Sequence, residues 1–183
     1  MTPVTPNWAP FILVSREERA PAPRSLNSLE GKLDRLRAAA FAELQARHAF
    51  EWAANHFIEA PASLRNAWKG LALAEDRHLQ WLLRRLAELG GRPEDRPVSD
   101  QLWVSLTERH STAAAFAHAM ATAEERGRIA GLRFHEGLAQ DDPETARIFQ
   151  RIAEEELEHI ELAQRYFPDG PVVPPPPAPR ASL

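Results

Sequence analysis

The chain has 183 residues, 44% of them hydrophobic, and a formal net charge of -4, so it is long enough to bury one core and too apolar to be disordered throughout. It contains no cysteine, which excludes disulfides, iron–sulfur clusters and a thiol nucleophile and fits a cytoplasmic protein. No apolar run is long enough for a membrane span, Phe11-Ile12-Leu13-Val14 is far too short for a signal peptide, and the charge alone offers nothing to a nucleic acid.

Prolines divide the chain. Five of them (Pro3, Pro6, Pro10, Pro21 and Pro23) fall within residues 1–25, an arm expected to be extended and to wrap the domain. Residues 26–167 form the domain itself, with proline only at Pro61, Pro93, Pro97 and Pro143. The segments between are rich in Ala, Leu, Glu, Arg and Gln, which are good helix formers. Residues 168–183, with Pro174-Pro175-Pro176-Pro177, read as a polyproline or disordered spacer.

The spacing predicts a first helix over about residues 28–58, with Leu29, Leu33, Leu36, Ala40, Phe50, Ala54 and Phe57 on its apolar stripe. A second covers about 62–89, with Leu71, Leu82, Leu86 and Leu89 on one face and Gly90-Gly91 ending it. The third segment, about 100–140, would run roughly 60 Å if straight. It should break near His110-Ser111-Thr112 into a short helix and a main one. The fourth opens on Asp142 as N-cap with Pro143 in the first helical position, and carries Phe149, Ile152, Ile160 and Ala163 inward to about residue 167. No segment alternates as a strand should. The fold class is all-α, a four-helix bundle with a long crossover, about residues 90–104, in which Trp103 caps the bundle.

The second helix contains Glu75-Asp76-Arg77-His78 and the fourth Glu156-Leu157-Glu158-His159. Residues i and i+3 share a helix face, so each Glu-x-x-His pair can grip the same metal site. With 19 glutamates and 7 histidines the motif alone is weak, and position carries more weight. Glu75 and Glu156 fall on apolar stripes, where an ionised carboxylate is costly unless paired or bound to metal. Glu43 sits midway between Leu36 and Phe50 on the first stripe. On the third segment the choice lies between Glu124, on a small-residue face with Ala117, Met120, Gly127 and Gly131, and Glu125, beside His118, Arg128 and Ile129. The repeat favours Glu124, because Glu43 to Glu75 and Glu124 to Glu156 are both 32 residues. Four carboxylates and two imidazoles suit a pair of Fe or Mn ions better than structural zinc. The competing reading is a set of buried salt bridges with Arg47 or Arg77 as partners. His48, His56, His110, His118 and His135 lack the motif and read as packing or surface residues, the tryptophans as packing, and Glu154 and Glu155 as solvated charges flanking a ligand.

The pattern resembles the ferritin-like di-iron carboxylate superfamily. More narrowly, it resembles a bacterial ferritin-like family of unknown function related in fold to the tRNA hydroxylase that acts on modified adenosine. The resemblance spans about residues 24–167. Its matching residues are Arg24-Ser25-Leu26 with Glu30-Gly31, Ala42-Glu43-Leu44-Gln45-Ala46, Glu75 with Arg77-His78, Leu89-Gly90, Asp100-Gln101-Leu102-Trp103, Glu124 with Arg126-Gly127, and Glu156 with His159. The Glu-x-Arg pattern again selects Glu124.

The resemblance implies the metal ligands Glu43, Glu75, His78, Glu124, Glu156 and His159, with Glu75 and Glu156 bridging two Fe ions (or a Mn/Fe pair). The radical tyrosine of the ribonucleotide reductase small subunit has Arg47 in its place here, and the cysteine-bound iron of rubrerythrins has no counterpart. The resemblance further implies dioxygen or peroxide as reactant and an external electron donor. Two activities follow as expectations: oxidation or hydroxylation of a substrate by a monomer or homodimer, or ferroxidase, storage and peroxide chemistry in a cage-sized assembly.

Overall fold

A computed structural model describes residues 4–15 and 17–170. The Pro174–Pro177 run lies outside them. Among the described residues there are five α-helices, α1 (Leu29–His56), α2 (Ala62–Glu88), α3 (Gln101–Glu108), α4 (Ala113–Leu138) and α5 (Pro143–Tyr166), and one 3-10 turn at Pro93–Asp95. Among the same residues the only strand-like pairing is an isolated parallel bridge between Leu13 and Val98.

Local chemistry sets the helix ends. The Ser28 side chain accepts from the Gly31 N–H, Thr112 from Ala115, and Asp142 from Thr145, so α1, α4 and α5 each start on a side-chain cap. Pro143 follows in the position where its missing N–H costs nothing. The end of α2 is a Schellman turn: Gly90 adopts φ 81°, its N–H donates to Ala87 O, and the Gly91 N–H reaches back to Leu86 O. The third segment breaks after Glu108, and α4 restarts on Thr112.

Helices α1 and α2 pack as one antiparallel hairpin and α4 and α5 as another, and α3 bridges them on one side. Phe50, Phe57, Trp68 and Phe116 meet in the core between the hairpins, with ring centroids 5.5 to 6.4 Å apart. On α2 the buried face is carried by Leu64, Trp68, Ala72, Leu79, Leu82 and Leu86, while Leu71 and Leu89, expected on it, lie at its half-buried edge. Ile160 of α5 is likewise half-buried, and Leu162 takes the core position.

The N-terminal arm belongs to the core. Trp8 and Phe11 are buried against Phe41, and Trp8 also meets Trp103 edge-on at 5.9 Å. The Arg24 guanidinium grips Asp34 of α1 in a two-pronged ion pair, with Nε 2.9 Å from Oδ2 and Nη2 2.8 Å from Oδ1. Arg96 of the crossover reaches the same carboxylate and also the Ala22 carbonyl. One buried aspartate therefore ties arm, helix and crossover. Gly31 makes room for the arm, since a Cβ there would stand 1.7 Å from the Ser25 carbonyl oxygen.

Candidate metal centre

Six side chains converge midway along the bundle. Glu43 comes from α1, Glu75 and His78 from α2, Glu124 from α4, and Glu156 and His159 from α5. Their ligand atoms form two overlapping groups, Glu43–Glu75–His78–Glu156 and Glu75–Glu124–Glu156–His159, each with all atoms within 4.8 Å of one another. Glu75 and Glu156 belong to both. The i, i+3 spacing does the local work by setting each carboxylate and its imidazole on one face of one helix. The two imidazoles stand nearly parallel, 5.9 Å apart.

The residues fit a metal pair on three observations. First, Glu75 and His78 are 0% exposed and Glu156 2%. Second, among the described residues no lysine or arginine reaches Glu43, Glu75, Glu124 or Glu156, and the ion pairs of Glu43, Glu75 and Glu156 are with His78 and His159 alone. Arg47 turns to Glu51 and Asp76, and Arg77 to Glu155, so the salt-bridge reading has no arginine to offer. Third, both oxygens of Glu75, both of Glu156, and Nδ1 of His78 and His159 are buried without a hydrogen-bond partner. Contacts as short as 2.7 Å, His159 Nδ1 to Glu75 Oε1, lack hydrogen-bond angles. These atoms face a shared space rather than one another. Buried polar atoms of this kind need a partner.

Protonation follows from the crowding. Burial, reinforced by the neighbouring carboxylates, pushes the Glu43 and Glu124 carboxyls well above their ordinary value. Burial also opposes ionisation of Glu75 and Glu156, yet the adjacent imidazoles hold both below the usual range. Burial works against imidazolium, but Glu156, Glu43 and Glu75 raise His78 to about 12, and Glu156 with Glu75 raises His159 to about 10. Without metal, the crowding thus favours protons on the imidazoles and on Glu43 and Glu124.

Glu124 faces the cluster, while Glu125 turns aside to Arg128 with contacts of 2.6 and 2.9 Å. One expectation needs correction. Glu155 is not a solvated flank: its Oε2 lies 3.0 Å from Nε2 of His78. A carboxylate on the outer nitrogen fixes ring orientation and tautomer and leaves Nδ1 to face the cluster. Among the described residues His159 has no such partner.

A cavity of about 460 Å³ opens beside the cluster, between α1 and α4, with Glu43, Glu124 and Glu156 in its wall. Small residues create it. Ala39, Ala42 and Ala46 of α1 face Ala123, Gly127 and Ala130 of α4, and none is long enough to close the gap. Gly127 borders open space, and Gly131 is in ordinary van der Waals contact, its Cβ position 3.5 Å from the Phe149 carbonyl oxygen.

A family model described as a protein of unknown function, DUF455, matches residues 2–169. The chain belongs to the DUF455 family. No curated protein matches it. Among solved structures, this DUF455 chain is similar to the bacterioferritin-related protein of Bacteroides fragilis, described as a dodecameric thioferritin, with a TM-score of 0.65 and 22% identity over 78% of this chain and 87% of that one. The likeness establishes a ferritin-like helical fold. No helix among the described residues is long and apolar enough to cross a membrane.

Proposed function

We propose that this protein holds two metal ions, iron foremost, between Glu43, Glu75, His78, Glu124, Glu156 and His159, and uses them to activate oxygen for oxidation of an organic substrate. The observation that carries the reading is the pair of overlapping ligand groups sharing Glu75 and Glu156, both buried, with no lysine or arginine partner among the described residues and with their oxygens lacking a hydrogen-bond partner. Bound there, a reduced iron pair would supply electrons to oxygen, and the protein would supply orientation and a shaped cavity beside it. Glu75 and Glu156 would bridge, Glu43 and Glu124 would close the two ends, and each imidazole would bind one ion. Glu155 would hold His78 in register from behind.

The cavity supports oxidation over storage, since a space of this size suits a small organic molecule. The resemblance to the tRNA hydroxylase fold points the same way, carried by the sequence pattern alone. Iron handling is the second reading, favoured by the dodecameric assembly of the structural neighbour. An oxygen electrode combined with sedimentation separates the two. The oxidase reading expects oxygen uptake that continues only while an electron donor is supplied, by a particle of one or a few chains retaining about two irons per chain. Uptake that stops with the iron added, in a cage-sized particle accumulating tens of irons per chain, would establish storage instead.

A further inference from the structure

The cavity between α1 and α4 has two chemically different ends. At the deep end stand the cluster carboxylates. At the other end Arg35, Arg37 and Arg96 line it with a single carboxylate, Asp34, which Arg24 also grips. Arg35 and Glu43 are eight residues apart on one helix, so the ends lie roughly 12 Å apart. The wall between is largely alanine and glycine, closed by Phe134 and Phe149, and the guanidinium of Arg128 on it is already paired with Glu125.

Arg35 is the decisive residue. Its Nη1 donates to the carbonyls of Arg24 and Gly31, but its Nε and Nη2 have no partner among the described residues. The guanidinium lies over the Phe134 ring, 5.5 Å from its centre. A half-buried guanidinium with free donors at the end of an apolar cleft is suited to an acid group.

We infer that the cleft binds a small amphipathic acid, its carboxylate held by Arg35 and its aliphatic body lying along the alanine and glycine wall toward the metal cluster. The orientation follows from the donors: Arg35 offers unpaired N–H groups to a carboxylate at one end, whereas the deep end offers the buried carboxyl groups of Glu43, Glu124 and Glu156. The inference deepens the oxidase reading and rests on it for naming the deep end as the reacting end; the binding itself needs no metal.

The test uses the full-length, metal-free protein and isothermal titration with decanoate, decanol and decylamine. Decanoate should bind saturably at one per chain, and decylamine at least tenfold more weakly. Arg35→Gln should weaken decanoate about tenfold and leave decanol unchanged, a loss of the size of one charge-assisted hydrogen bond. Arg35→Lys should retain most of the affinity, which separates the charge from any disturbance of the arm. Gly127→Leu, where a Cβ meets nothing within 4 Å, should fill the cleft and weaken every ligand more than tenfold. Equal binding of acid and amine, indifference to both Arg35→Gln and Gly127→Leu, or no saturable binding would overturn the inference. So would a Gly127→Leu effect confined to oligomeric state, which would make the cleft a contact between copies. Decanoate that binds as expected but is never oxidised by the iron-loaded protein would count against the oxidase reading and leave the binding site intact.

Discussion

Two neighbouring glutamates show how one helical step decides a role. Glu124 joins the cluster and Glu125, also buried, pairs with Arg128. Glu124→Ala should therefore lose at least one metal per chain by elemental analysis, and Glu125→Ala should keep the wild-type content. The reverse pattern would assign the ligand to the wrong residue. Protonation gives a second prediction at this scale. His78 and His159, raised to about 12 and 10, hold protons at neutral pH, and Glu43 and Glu124 are pushed the same way. A metal must displace the imidazole protons. Binding should release at least about two protons per pair of ions, and affinity should rise with pH across the neutral range. Calorimetry in buffers of different ionisation enthalpy reads the number directly, and a pH-independent affinity with no proton release would contradict it. Much of this site was legible in the chain because a helix converts spacing into direction: a glutamate on a leucine stripe must point inward. Glu155 was not legible. It lies one step off that stripe, and its role depends on where His78 of another helix falls.

Among the elements, the four long helices and their breaks follow from proline placement, caps and the Gly90-Gly91 stop, all local signals. The arm shows what local signals leave out. Its prolines predict extension, but Trp8 and Phe11 reach the core through contacts with Phe41 and Trp103, far away in sequence. Asp34 is the other non-local device. On sequence it is one more charge in an amphipathic helix. In the fold it is buried and gathers Arg24, Arg37 and Arg96. Burial opposes its ionisation, and the arginines more than offset that, lowering it from 3.8 to about 2. A depressed carboxyl contributes stability that is present above its unfolded value and lost as pH falls through the folded one. Asp34→Asn should thus cost about 2 kcal/mol at pH 7 in urea unfolding, the difference from wild type fading between about pH 4 and pH 2. A variant as stable as wild type at pH 7 would show that the arm needs no such tether.

At the scale of the whole molecule, two hairpins of the same design face each other: a lone glutamate, then a Glu-x-x-His 32 residues on. Their juxtaposition gives two overlapping ligand groups that share Glu75 and Glu156, and the small residues between α1 and α4 leave a cavity beside them. The cavity could not be read from the chain, because alanine and glycine on a helix face serve close packing as readily as open space, and the other helix decides which. The cluster's burial, its lack of arginine partners and its orphaned atoms all lead to one claim, that two ions belong there. Anaerobic titration of the metal-free protein with Fe(II), followed by equilibrium dialysis and metal analysis, tests it most directly. The account predicts saturation at about two irons per chain, falling to one or none when Glu75 or Glu156 is replaced by alanine. Failure of the folded wild-type protein to take up iron or manganese stoichiometrically would contradict it.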